Sequence, residues 1–129
     1  MDETFDHVNG LPYYDRQGRR ISHAEWLDHM ADFEFRGVAF DALGRYQVST
    51  VWLGTDNWRG LPVARPLIFE TMVFPVLKPS LPGVRGPDYG PPCTTRRYAT
   101  EAEALAGHDQ ILAEFRILRA MEDDLAAEP

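Results

Sequence analysis

One cysteine and one lysine are what this chain of 129 residues is shortest of. Cys93 has no second thiol to pair with, so no internal disulfide can form, and a reducing compartment is expected. Basic residues number 13 against 20 acidic ones, a formal net charge of -7. That balance argues against direct, sequence-independent binding to DNA or RNA, which rests on neutralising phosphates. It suits a basic protein partner, although many solvated domains carry such a charge. No apolar run approaches the ~20 residues that a membrane-spanning helix needs, so no membrane association is expected. The opening Met1-Asp-Glu-Thr-Phe-Asp-His7 is acidic where a signal peptide is basic and then apolar. A cytoplasmic, single-domain protein is the expectation.

Motifs that carry chemistry are also missing. His7, His23, His29 and His108 show no ligand spacing, and the chain has neither HExxH nor CxxC. There is no GxSxG elbow and no GK[ST], and Gly83, Gly86 and Gly90 do not form GxGxxG. Neither a metal nor a cofactor is predicted. His108 interrupts an apolar helical stripe, which predicts a half-buried histidine with one ring nitrogen bonded to backbone or to a carboxylate. Asp109, the next residue, points about 100° away around the helix and is badly placed to orient it as a general base.

What is present reads as an α+β fold: a single antiparallel sheet of about four to six strands with two helices packed against it. Pro12 to Ile21 predicts two short strands around a turn at Asp15 to Gly18. Ser22-His-Ala-Glu25 is a capping box opening a helix from about His23 to Phe35, with Trp26, Leu27, Met30 and Phe33 on one face. Gly37 ends that helix and begins a hairpin that turns at Asp41 to Gly44. In its second strand Tyr46, Val48, Thr50 and Trp52 alternate with Gln47, Ser49, Val51 and Leu53. Leu67 to Phe74 reads as a central strand covered on both faces. Pro75 to Pro92 holds six prolines and three glycines, which predicts a docking loop rather than helix or central strand. Thr94 to Tyr98 fits an edge strand. Thr100 to Glu103 caps a final helix running to about Asp124, striped by Leu105, His108, Ile111, Leu112, Phe115 and Leu118. Carboxylates at its C-terminal end oppose the helix dipole, so fraying is expected there.

The loop between the two strong strands holds the candidate binding residues Asp56, Asn57, Trp58 and Arg59, and the proline-rich loop adds Tyr89. Aromatic and arginine side chains are the usual anchors of protein-binding hot spots. For Trp58 the alternative is folding back over the sheet beside Trp52. Glu70 shares a strand face with Ile68, Met72 and Phe74. If that face is buried the carboxylate needs a partner, with Arg45, Arg59 and Arg65 nearest in sequence. An acid-base pair of Glu70 with Asp56 is the enzymatic alternative.

"YYDRQGRRISHAEWLDHM", "VSTVWLG", "PLIFETMVF" and "RRYATEAEALAGHDQIL" together resemble a set of small proteins of phages and prophages in GC-rich bacteria. The Ala106-Gly-His108 step matches their last helix, and segment 75–92 is where this chain departs with a longer insertion. The resemblance implies a phage or mobile-element setting and carries no catalytic residue with it. From the whole sequence the leading expectation is a non-enzymatic accessory protein that binds another protein. In its most concrete form it is an anti-CRISPR-like inhibitor occluding a basic nucleic-acid-binding effector. The alternatives are a small hydrolase using Glu70, Asp56 or His108, and a virion or assembly component. A homodimer is compatible with each.

Overall fold

The computed structural model describes residues 12–56, 65–78 and 88–127. Its first turn forms because the Asp15 carboxylate accepts hydrogen bonds from the backbone N–H groups of Gln17 and Arg19. That closure pairs β1 (Tyr13–Tyr14) with β2 (Arg20–Ile21), as the sequence predicts. Ser22 then caps α1 (His23–Met30), its hydroxyl accepting from the Glu25 N–H at 3.1 Å.

The single helix expected to Phe35 is two. The chain leaves helical geometry at Asp32, whose carboxylate accepts from the Phe35 N–H at 3.2 Å and starts α2 (Phe33–Arg36). A short acidic side chain that bonds the backbone ahead of it favours a new cap over continuation. The predicted common face is divided as a result. Trp26 turns inward, its indole N–H donating to the Leu53 carbonyl at 2.8 Å, while Leu27 and Phe33 are exposed.

The hairpin that follows joins β3 (Gly37–Leu43) to β4 (Tyr46–Trp52) through Gly44-Arg45 alone. Gly44 has a φ of 61°, which glycine adopts without strain. The turn is therefore shorter than predicted, and Asp41 is a strand residue paired with Val48. On its other side β4 pairs antiparallel with β5 (Phe69–Lys78). Beyond β5 lie β7 (Thr94–Tyr98) and the short β6 (Asp88–Tyr89), both antiparallel to it. The strand at 67–74 is central as expected, but it is not covered along both faces: α3 lies over one, and at Phe74 the other opens onto a groove.

Composition places Pro75 to Lys78 in the proline-rich loop, but they extend β5. The ladder tolerates Pro75 because its carbonyl accepts from the Gly90 N–H at 2.8 Å, while the neighbouring Val76 N–H reaches the Arg45 carbonyl at 2.7 Å. The rest of that stretch, 79–87, is outside the described residues.

Thr100 caps α3 (Glu101–Ala127), which stays helical past the point where fraying was expected. It crosses one face of the sheet, touching β3, β4, β5 and β7. The stripe it buries is rotated from the predicted one: Ala104 and Gly107 are inside, whereas Leu105 and Leu118 are exposed. Small residues are needed there because the Tyr98 ring lies directly against Gly107. The core beneath α3 has two apolar clusters. Trp52, Ile68, Phe69 and Ala104 with Tyr13 and Ile21 fill one end, and Leu43, Val48, Val73, Ile111 and Leu112 fill the other. No helix of the described residues is long and apolar enough to cross a membrane.

Candidate functional site

Strand alternation decides which side chains are left for a partner. Val48, Thr50 and Trp52 of β4 and Phe69, Thr71 and Val73 of β5 are buried beneath α3. Their alternates, Gln47, Ser49, Met72 and Phe74, point to the opposite face. The cross-strand neighbour of Ser49 on β3 is Phe40, so that ring stands on the same face. From the helices, Phe33 of α2 reaches this face, stacked on Phe40 at 5.7 Å between centroids. On the far rim the Tyr89 ring lies 6.0 Å from Phe74.

These rings bound an open groove of about 770 Å³, lined by Phe33, Phe40, Gln47, Ser49, Phe74 and Tyr89 with the Gly90-Pro91-Pro92 turn. Phe33, Phe40 and Tyr89 are each exposed. Among the described residues no charged side chain lines it. Its polar contacts are limited to an amide, two hydroxyls and backbone. Such a surface removes apolar area from water when covered, and its described side chains that could exchange a proton come down to one phenol.

Of the candidate binding residues that are described, Tyr89 stands in this groove and Asp56 does not. Asn57, Trp58 and Arg59 are outside the described residues. Asp56 is buried, and its Oδ2 accepts from the Leu67 N–H at 2.9 Å, tying together the two ends of the loop between β4 and β5.

Glu70 is buried and has a cationic partner, as its position demands, and that partner is Arg97 rather than Arg45 or Arg65; Arg59 is outside the described residues. Arg97 sits directly opposite it on β7 and approaches Oε2 to 3.0 Å. Arg45 instead faces Glu122 at 3.8 Å, and Arg65 pairs with Glu103. Neither Glu70 nor Asp56 lines the groove.

His108 is more deeply placed than expected, at 2 % exposure, and both of its ring nitrogens are bonded. Nε2 lies 2.7 Å from Asp41 Oδ2, and Nδ1 lies 2.7 Å from Thr50 Oγ1. Thr50 Oγ1 in turn lies 2.5 Å from Thr71 Oγ1. Carboxylate, imidazole and hydroxyl stand in the order that an activated hydroxyl nucleophile uses. Here, however, Thr50 and Thr71 are both fully buried, and the groove is on the other side of the sheet. The arrangement instead makes a polar layer between the two apolar clusters, Thr50 lying between Val48 and Trp52 and Thr71 between Phe69 and Val73. Among the described residues no group of three or more His, Cys, Asp or Glu could hold a metal ion.

No family model, curated protein or solved structure matches the chain. The site is therefore read from its own chemistry.

Phe33, Phe40 and Phe74 escaped the sequence reading as site residues because aromatic rings in predicted elements read as core. The usable signal was the partner strand. Gln47 and Ser49 mark one face of β4 as polar, and any ring registered against them is on that same face.

Proposed function

We propose that the protein works by binding another protein through the open face of its sheet. The observation that carries this reading is the groove: three aromatic rings stand in solvent around a trough whose described lining is uncharged and largely apolar. Exposed apolar surface of this kind, rich in Phe and Tyr, marks interaction sites on proteins. Because the acidic side chains lie outside the groove, binding there draws on apolar burial rather than on the net charge. The resemblance to phage and prophage proteins points to a host-defence effector as the partner. In that setting the protein is an anti-CRISPR-like inhibitor that occludes its target sterically.

A tagged pull-down from a nuclease-treated lysate of a CRISPR-bearing host, washed at low and high salt, tests this. The expected result is a defence effector that stays bound at high salt and is lost from a Phe40→Ser/Phe74→Ser variant. A partner that elutes as salt rises and ignores the double substitution would overturn the groove as the binding site.

A further inference from the structure

The last third of α3 presents a second surface, and its chemistry differs from that of the groove. Ile117, Leu118, Met121 and Leu125 are 64 %, 43 %, 58 % and 69 % exposed. At 3.6 residues per turn these four fall within about 100° of one another around the helix, so they form one continuous apolar stripe. The stripe lies to one side of the residues that face the sheet, His108, Ile111, Leu112 and Phe115. Nothing among the described residues covers it.

Its charge is one-sided. Glu122, Asp123 and Asp124 follow one another, and the last turn contains no basic residue. They stand at the negative end of the helix dipole, where cations are favoured and anions are not. Glu114 borders the stripe on the same face and is paired with Arg96 of β7 at 2.8 Å. Among the described residues Glu122 faces the highly exposed Arg45 of the hairpin turn, at 3.8 Å. Arg116 and Arg119 belong to the opposite flank of the helix, together with Asp123, and Arg119 lies over Gly44; Asp124 and Glu122 are the two that flank the stripe. Docked on itself, the stripe would bring two acidic ends or two acidic borders together. A cationic partner would relieve the helix end instead.

We propose that residues 114–127 form a docking surface for a basic amphipathic helix of another protein. The partner lays apolar side chains spaced three and four apart over Leu118, Met121 and Leu125, and sets Lys or Arg against Asp124 and Glu122, the two carboxylates that flank the stripe. This mode is salt-sensitive where the groove is not, so one chain offers two chemically distinct surfaces. It stands independently of the groove reading.

The test titrates the full chain with a helical peptide of leucine and lysine in amphipathic spacing, and with its leucine-glutamate counterpart, by calorimetry at low and high salt. The leucine-lysine peptide should bind, weaken with salt and lose at least about tenfold in affinity against Leu118→Ser/Leu125→Ser. It should bind Phe40→Ser/Phe74→Ser as it binds the wild type, which separates this surface from the groove. Two outcomes overturn the proposal: failure of the leucine-lysine peptide to bind, and equal binding to the helix-face variant. A concentration-dependent dimer abolished by Leu118→Ser/Leu125→Ser would overturn it in favour of a second copy. All four substituted positions carry exposed side chains or face the groove, so folding is checked by thermal unfolding of each variant.

Discussion

Asp41 and His108 are separated by 67 residues in the chain and by 2.7 Å in the structure. An ionised carboxylate only accepts, so Nε2 of the imidazole carries the hydrogen that Asp41 receives. With a neutral ring, Nδ1 is then the acceptor for the Thr50 hydroxyl, and Thr50 accepts from Thr71. The four groups form one directed chain linking β3, β4, β5 and α3. The chain explains how a histidine and two threonines can sit inside a sandwich of apolar residues at tolerable cost, with the half-exposed Asp41 carboxylate ending it at the surface.

From that direction follows an order of mutational costs. His108→Leu removes both ring partners and leaves the buried Thr50 hydroxyl without its acceptor, so stability should fall by about 2–4 kcal/mol. Asp41→Asn keeps an oxygen able to accept from Nε2–H at a half-exposed position, and should cost less than about 1 kcal/mol. Thr50→Val removes the link between His108 and Thr71 and should fall between the two. Chemical denaturation measures all three, and a large loss in Asp41→Asn would show that the ring is held as a cation.

Glu70 and Arg97 allow a double-mutant cycle. Removing either partner alone leaves the other in a site where Glu70 is 4 % exposed, so Glu70→Ala and Arg97→Ala should each cost about 2–4 kcal/mol. Replacing both with apolar residues of similar size, Glu70→Leu/Arg97→Met, should recover most of that loss. The stability of the double variant decides it. A double variant as unstable as the sum of the singles would show that the two side chains act independently.

How far the sequence reading reached follows the range of the interactions involved. Caps at Ser22 and Thr100, the turn at Asp15, the hairpin after Gly37 and the central strand were legible because they depend on neighbours within a few residues. The α1/α2 break was not, since it turns on Asp32 preferring to cap rather than to continue. The partners of Glu70 and His108 could not be read either. Strand register puts Arg97 beside Glu70 from 27 positions along, and Asp41 reaches His108 only after the hairpin and α3 have packed. The groove failed for a different reason. Phe40 and Phe74 carry no mark in the sequence that separates an outward ring from an inward one until the strands are paired.

The groove itself predicts which contacts matter. Phe74→Ala removes a ring bordered by Tyr89, and Phe40→Ala one stacked on Phe33. If the groove binds the captured partner, each should weaken the complex by about 1–3 kcal/mol while changing the protein's own stability less, because both rings are partly in solvent. Gln47→Ala, a polar lining residue, should cost under about 1 kcal/mol. Titration of the purified partner against the three variants gives the ranking, and equal effects would remove the rings as anchors.

Gly107 offers the sharpest contrast between local and tertiary control. By helix propensity alone, Gly→Ala in the middle of α3 should stabilise by about 0.5–1 kcal/mol. The added Cβ would however be driven into the Tyr98 ring, whose Cζ and hydroxyl already lie against the glycine. Relief requires either the ring or the helix to move, and α3 is held on both sides of Gly107 by buried Ala104 and His108. Overpacking of this kind typically costs about 1–3 kcal/mol, which outweighs the propensity gain. Gly107→Ala should therefore destabilise by about 1–2 kcal/mol, and Tyr98→Ala should reverse the sign of the second substitution by vacating the space. In the Tyr98→Ala background, Gly107→Ala is expected to be neutral or stabilising. Thermal unfolding of the four proteins settles the sign, and a stabilising Gly107→Ala in the wild-type background would mean that α3 does not seat against Tyr98.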